Sequence, residues 1–194
     1  MTKISIENNV IGNGGLCAIS LALMEGNQMS ELYLYNNEID DEPIEEFCAF
    51  LAQHKDLTNL GLEFNRIGYK GLIPILESMQ GHDKLEKLYL NQNDINGQAG
   101  DAIYEFVSKI KNLKELRLSN NQLESLGGLR LAEGILENKN LRVCHISNNK
   151  LSNDVAEKFA EIIEKNKQLK DLDLSNNLFI MDELQLLAQA FKES

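Results

Sequence analysis

Apolar residues follow two rhythms along this chain, and the pair of rhythms recurs every 28 residues. Leu113, Leu116, Leu118, Asn121 and Leu123 define the pattern L-x-x-L-x-L-x-x-N-x-L. With Leu113 as position one, the same frame begins at Met1, Met29, Leu57, Leu85, Leu113, Leu141 and Leu169, with no insertion or deletion. Position nine holds Asn9, Asn37, Asn65, Asn93, Asn121, Asn149 and Asn177. Apolar positions four and six alternate with variable positions three, five and seven, a period of two that predicts a short strand over residues three to seven of each unit. Further on, positions 16, 19, 20 and 23 are apolar at helical spacing, as in Ala156, Phe159, Ala160 and Ile163 of the sixth unit. The units therefore stack into one parallel sheet backed by a layer of helices.

Cap and breaker residues refine this outline. Asn13, Asp41, Ser125, Asn153 and Asp182 stand where helix N-caps are expected. Pro43 follows Asp41 in a tolerated first-turn position. Pro74 lies after Gly68 and Gly71, so the third helix is expected to start late, near Gly71. Gly127, Gly128 and Gly134 are expected to weaken the fifth helix through backbone entropy. The Asn at position nine reads as structural, because a chain turning inside a stack buries backbone groups and an amide offers both a donor and acceptors.

The seven-fold pattern resembles leucine-rich repeat proteins, whose period and consensus it matches. Its 28-residue unit is similar to the ribonuclease-inhibitor-like class, found also in sensor arrays of NOD-like receptors and in the GTPase-activating protein of Ran. The resemblance implies an α/β solenoid, a horseshoe with a parallel sheet on the concave side and helices on the convex side. Residues 1–194 then form a single domain of seven repeats. Such curved surfaces bind other proteins.

Charge narrows the partners. The net charge of -11 argues against neutralising a phosphate backbone, so no nucleic acid is expected. The acidity concentrates in the second repeat, where Glu31, Glu38, Asp40, Asp41, Glu42, Glu45, Glu46 and Asp56 face only Lys55. Cys17, Cys48 and Cys144 form no C-x-x-C pair and fit neither a disulfide framework nor a zinc site. Cys48 and Cys144 are expected in the core. Residues 1–28 fit the repeat register and lack the basic, apolar look of a signal sequence, and no apolar run approaches membrane-spanning length. The expectation is a cytoplasmic protein with no membrane association, in its own cell or in a host cell if it is an exported bacterial effector.

Candidate chemistry sits on the outward strand positions, which the core does not prescribe. Tyr33, Tyr35 and Tyr89 fall there, Phe64 stands beside them at position eight, and Gly61 between Tyr33 and Tyr89 is expected to leave a notch. Aromatics on solvent-facing strands also serve cross-strand packing. Yet aromatics with Arg dominate interface hot spots, so Tyr33, Tyr35, Glu63, Phe64, Tyr89 and Arg117 are the expected partner-binding residues. The acidic second repeat would steer a protein or peptide with a basic, partly apolar segment.

Other constellations read as structural. Arg117, His145 and Asp173 with Ser147 suggest a nucleophile and base, but residues two apart on a strand lie about 6.5–7 Å apart, beyond a hydrogen bond. His54 and His82 share position 26 and are expected near helix-terminal carbonyls rather than at a metal. No catalytic, cofactor or metal residue is assigned. Neither end carries a polar cap; the loop Leu178, Phe179, Ile180 and Met181 either folds over the end, the favoured reading, or meets another subunit, or the chain continues elsewhere. A monomer or weak end-to-end association follows. The function read from the sequence is a non-catalytic protein-interaction module of effector or intracellular-sensor type; the alternative is a regulator of a small GTPase.

Overall fold

The computed structural model describes residues 3–24, 28–42 and 44–193. Met1 and Pro43, and the capping role expected of the Asn153 side chain, lie outside the described residues. Seven strands, β1 (Lys3–Ser5), β2 (Glu31–Tyr33), β3 (Asn59–Gly61), β4 (Lys87–Tyr89), β5 (Glu115–Arg117), β6 (Val143–His145) and β7 (Asp171–Asp173), form one sheet in chain order. Every pairing is parallel and joins equal repeat positions, from Lys3 opposite Glu31 to His145 opposite Asp173. Helices α1 (Gly12–Leu23), α2 (Glu45–Gln53), α3 (Tyr69–Ser78), α4 (Gly100–Lys109), α5 (Glu124–Glu137), α6 (Asn153–Lys165) and α7 (Met181–Glu193) back the sheet. The result is an α/β leucine-rich solenoid, with leucine columns such as Leu32, Leu60, Leu88 and Leu116 filling one continuous core.

The strands are shorter than the expected five residues, covering positions three to five. The cause lies at position eight, where Asn8, Asn36, Phe64, Gln92, Asn120, Asn148 and Asn176 all adopt φ between 52° and 59°. A left-handed residue turns the chain out of the sheet, and Asn tolerates that conformation better than most side chains. Hydrogen bonds between repeats continue past the strand, as in Leu62 N–H to Tyr89 O (2.9 Å) and Phe64 N–H to Asn91 O (2.9 Å).

At position nine the amides form the expected ladder. Asn121 Nδ2 donates to Leu90 O and Leu118 O, both at 2.9 Å, while its Oδ1 accepts from Ile95 N–H at 3.1 Å. Asn37, Asn65, Asn93, Asn149 and Asn177 likewise reach a carbonyl of the preceding repeat. A second ladder, not foreseen, runs at position 26: His82 Nε2 to Leu51 O (2.8 Å), Asn138 Nδ2 to Val107 O (2.7 Å) and Asn166 Nδ2 to Ile135 O (3.1 Å). Each ties the turn after one helix to the last turns of the helix before it. His54 meets Phe50 O within its own helix at 2.8 Å, so both histidines do sit at helix ends.

Several local expectations need correction. Helix α3 starts at Tyr69, with Pro74 in its interior. Its start is fixed from the preceding repeat, where Asp41 Oδ1 accepts from Gly68 N–H (2.6 Å) and Gly71 N–H (2.9 Å). Asp41 thus caps the next helix rather than its own. Asn13 lies within α1 and exchanges hydrogen bonds with Asp40, and Ser125 lies within α5 against Ser152 Oγ at 2.6 Å. Asp182 lies within α7, and the amide of Ile180, just before that helix, is satisfied by Glu183 instead (2.8 Å).

Helix α5 is the longest, at 14 residues, despite its glycines. They mark close approach: a Cβ on Gly127 would meet Gly97 Cα at 3.2 Å, one on Gly134 the Val107 side chain at 3.2 Å, and one on Gly128 the Leu151 side chain at 2.6 Å. Packing of α5 against α4 and α6 offsets the entropy cost. Cys144 is buried, its thiol pushed up to about 12 by that burial, but Cys48 only packs against the core and stays partly exposed. The loop at Leu178 does not fold over the end. Leu178 N–H bonds to Leu151 O as equivalent residues do in other repeats, leaving Leu178, Ile180 and Met181 exposed by 60, 55 and 67%, and only Phe179 turns inward. Among the described residues no helix is long and apolar enough to cross a membrane.

Candidate functional site

Strand register lines the outward side chains into columns down the sheet, so residues 28 apart become neighbours. Opposite charges alternate at position three: Lys3 Nζ lies 3.4 Å from Glu31 and Lys87 Nζ 3.7 Å from Glu115. Position five places Tyr33, Gly61 and Tyr89 side by side. The expected notch at Gly61 is absent, because a Cβ there would meet the Tyr33 ring at 2.8 Å and the Tyr35 ring at 3.4 Å. Glycine instead lets two rings lean over the backbone.

The six expected residues all lie on this face, in three groups. Tyr33 and Tyr35 meet edge to face, with centroids 6.0 Å apart and planes at 70°. The Tyr33 hydroxyl donates to Glu31 (3.1 Å) and accepts from Asn59 (2.9 Å), and Lys3 Nζ sits 4.9 Å from its ring centroid. Tyr35 donates to Glu7, a bond that together with burial pushes its phenol up to about 12. Farther along, Arg117 lies over the Tyr89 ring at 5.3 Å and bonds Glu115 at 2.6 Å. Burial and the adjacent Glu115 carboxylate hold the Tyr89 phenol well above its ordinary value. These tyrosines therefore stay protonated donors across the physiological range.

Glu63 and Phe64 stand between those groups. Burial raises the Glu63 pKa, against Arg117 and a long 3.5 Å contact from Asn91 that lower it. A carboxyl raised in the folded state contributes stability that is fully present below its unfolded pKa and lost as pH rises through the folded value. Glu63→Gln is accordingly expected to raise the thermal midpoint at pH 7, with the gain shrinking as pH falls into the carboxylate range; a variant less stable at pH 7 would contradict this. Phe64 is 54% exposed and occupies the left-handed position eight, at φ 57°. For a bulky ring that conformation is an outlier costing about 1 kcal/mol or more. It also breaks the surface amide ladder that links Asn36 to Asn8 (2.9 Å) and Asn148 to Asn120 (2.8 Å).

Side chains of the next columns are tied to one another. His145 Nε2 goes to Asp171 Oδ2 (3.0 Å), Ser147 Oγ donates to Ser119 Oγ (2.9 Å) and Ser175 Oγ donates to Asp173 Oδ1 (2.6 Å), so His145 is hydrogen-bonded to neither serine of that run. Among the described residues no group of three or more His, Cys, Asp or Glu is arranged to hold a metal. Sequence reasoning had omitted Lys3, Glu7, Glu31 and Glu115 from the site, although Lys3 with Glu31 and Lys87 with Glu115 were opposite charges at equal positions of adjacent repeats.

Comparison with known proteins agrees with this fold. A family model described as Leucine Rich repeat matches residues 109–132. No curated protein matches the sequence. Among solved structures, the actin-binding site 2 of leiomodin-1 is similar at a TM-score of 0.62 and 16% identity, covering 78% of this chain and 89% of that one. The tropomodulin C-terminal domain from Caenorhabditis elegans is similar at 0.62 and 18%, covering 75% and 89%. A plant ice-binding protein is similar at 0.60 and 18%, and this chain, matched over 92% of its length, spans 50% of it.

Proposed function

The chain is a leucine-rich repeat protein, and from that premise we propose that it is a non-catalytic module binding a protein or peptide on the concave face of repeats two to five. One observation carries the reading. Phe64 holds an exposed aromatic ring in a left-handed conformation at a position where Asn8, Asn36, Asn120, Asn148 and Asn176 satisfy the turn at less cost. An exposed apolar ring held at such a cost needs a reason outside the free fold, and burial against a partner supplies one. Flanking tyrosines add apolar area at low entropic cost, with hydroxyls that orient a ligand. The acidic second repeat favours a segment bearing positive charge. Likeness at 16–18% identity supports the fold and brings no partner with it. The three free thiols suit a reducing compartment such as cytoplasm. The test is capture of a partner on the immobilised chain, with Phe64→Asn as the matched control.

A further inference from the structure

The concave face builds the same small arrangement twice from its own residues. Arg117 places Nε and Nη2 each 2.6 Å from Glu115 Oε1, with its guanidinium 5.3 Å from the centroid of the Tyr89 ring. Lys3 places Nζ 3.4 Å from Glu31 Oε2 and 4.9 Å from the centroid of the Tyr33 ring. In both, a carboxylate and an aromatic face share one cation, so Coulomb attraction and the ring quadrupole act together.

A third carboxylate with aromatic neighbours lies between them and lacks its cation. Glu63 follows Tyr35 in the position-seven column and adjoins Phe64 in the chain. Among the described residues it makes no ion pair; its one side-chain hydrogen bond is the 3.5 Å contact from Asn91 Nδ2. Lys3, Lys87 and Arg117 are committed to Glu31 and Glu115. Glu7, the carboxylate on the other side of Tyr35, is already engaged by Ser5 and the Tyr35 hydroxyl. Burial holds Glu63 above the usual carboxylate range although Arg117 pulls it down, which is how a part-buried acid without a counter-ion behaves.

Resting on the concave-face reading, we propose that Glu63, with Tyr35 and Phe64 beside it, is the seat of an arginine side chain supplied by the bound partner. A guanidinium fits better than an ammonium because its plane stacks on a ring while its fork of donors meets a carboxylate edge-on, as Arg117 does one column away. The exposed Phe64 ring covers the alkyl stem of the incoming residue and is buried by it. The partner thereby completes a row of cations across the face and discharges the cost of an unpaired acid.

The test is an amide NMR titration of the full chain with N-acetyl-L-argininamide, and with N-acetyl-L-norleucinamide as the uncharged control, on wild type and on Glu63→Gln. Saturable shifts at Tyr35, Glu63 and Phe64 are expected with the argininamide alone, weakened about tenfold in Glu63→Gln. Equal affinity in the variant, shifts confined to other repeats, or no saturable shift overturns the seat. Partner capture separates the two claims. A partner lost with Tyr89→Ala but kept with Glu63→Gln overturns the arginine seat and leaves the concave-face reading standing, whereas a partner indifferent to both overturns the two together.

Discussion

Asn121→Ala is expected to lower the unfolding free energy by about 3 kcal/mol, the upper part of the range for buried polar groups left without partners. The Asn121 amide serves four backbone groups at once: the carbonyls of Leu90, Leu118 and, at a longer 3.4 Å, Ser119, and the N–H of Ile95. Those groups lie in the turn that leaves the sheet, where Asn121 itself is buried and water has no ready access. Alanine fills part of the space and satisfies none of them. Because the fourth and fifth repeats share this bond, the loss weakens a central interface of the stack rather than a frayed end. Asn9, at the exposed first repeat, should tolerate the same change with a much smaller effect. Urea unfolding reads the difference as a lower midpoint with an unchanged slope; a midpoint for Asn121→Ala equal to wild type would contradict the ladder.

Tyr89→Ala is expected to weaken partner binding by about 2 kcal/mol, roughly 30-fold, and chiefly through faster dissociation. The ring sits at the centre of the face with Arg117 stacked upon it, so truncation removes apolar area and also frees the guanidinium from its platform. Its phenol remains protonated near neutral pH, with the Glu115 carboxylate as its own hydrogen-bond partner. The core below, Leu88 and Leu116, keeps its packing, so the fold survives the change. Surface-plasmon or calorimetric comparison on the captured partner checks this, and equal dissociation rates for the two proteins would place the contact elsewhere.

Much of the architecture was legible because the 28-residue register is unbroken. Once Asn9 to Asn177 align, strand order, parallel pairing and the outward columns follow from geometry alone. Features set by contacts between repeats were not legible in this way. Gly127 and Gly134 read as entropic liabilities in isolation, since the sequence does not display Gly97 or Val107 lying against them. Asp41 read as a local cap, whereas it serves Gly68 and Gly71 one repeat later. The position-26 ladder was hidden because His82, Asn138 and Asn166 share a hydrogen-bonding role without sharing a residue type.

The candidate site divides along the same line. That Tyr33, Tyr35, Glu63, Phe64, Tyr89 and Arg117 share a face was readable from their positions. That Gly61 opens no notch depended on ring orientation, and that Glu63 is left without an ion pair depended on where Lys3, Lys87 and Arg117 reach. The strain at Phe64 became visible only with the backbone angle. The Asn residues at position eight of five other repeats were its signature in the sequence.

The measurement that bears most directly on the concave-face account is a paired one on Phe64→Asn: thermal midpoint of the free protein, and affinity for the captured partner. Asparagine suits the left-handed turn and is positioned to rejoin the amide ladder beside Asn36, so the free protein is expected to melt higher, by a gain of about 1 kcal/mol. The same change removes an exposed ring from the proposed contact, and affinity is expected to fall at least about tenfold. A more stable protein that binds poorly is the predicted result. A variant that binds its partner as tightly as wild type would contradict the account.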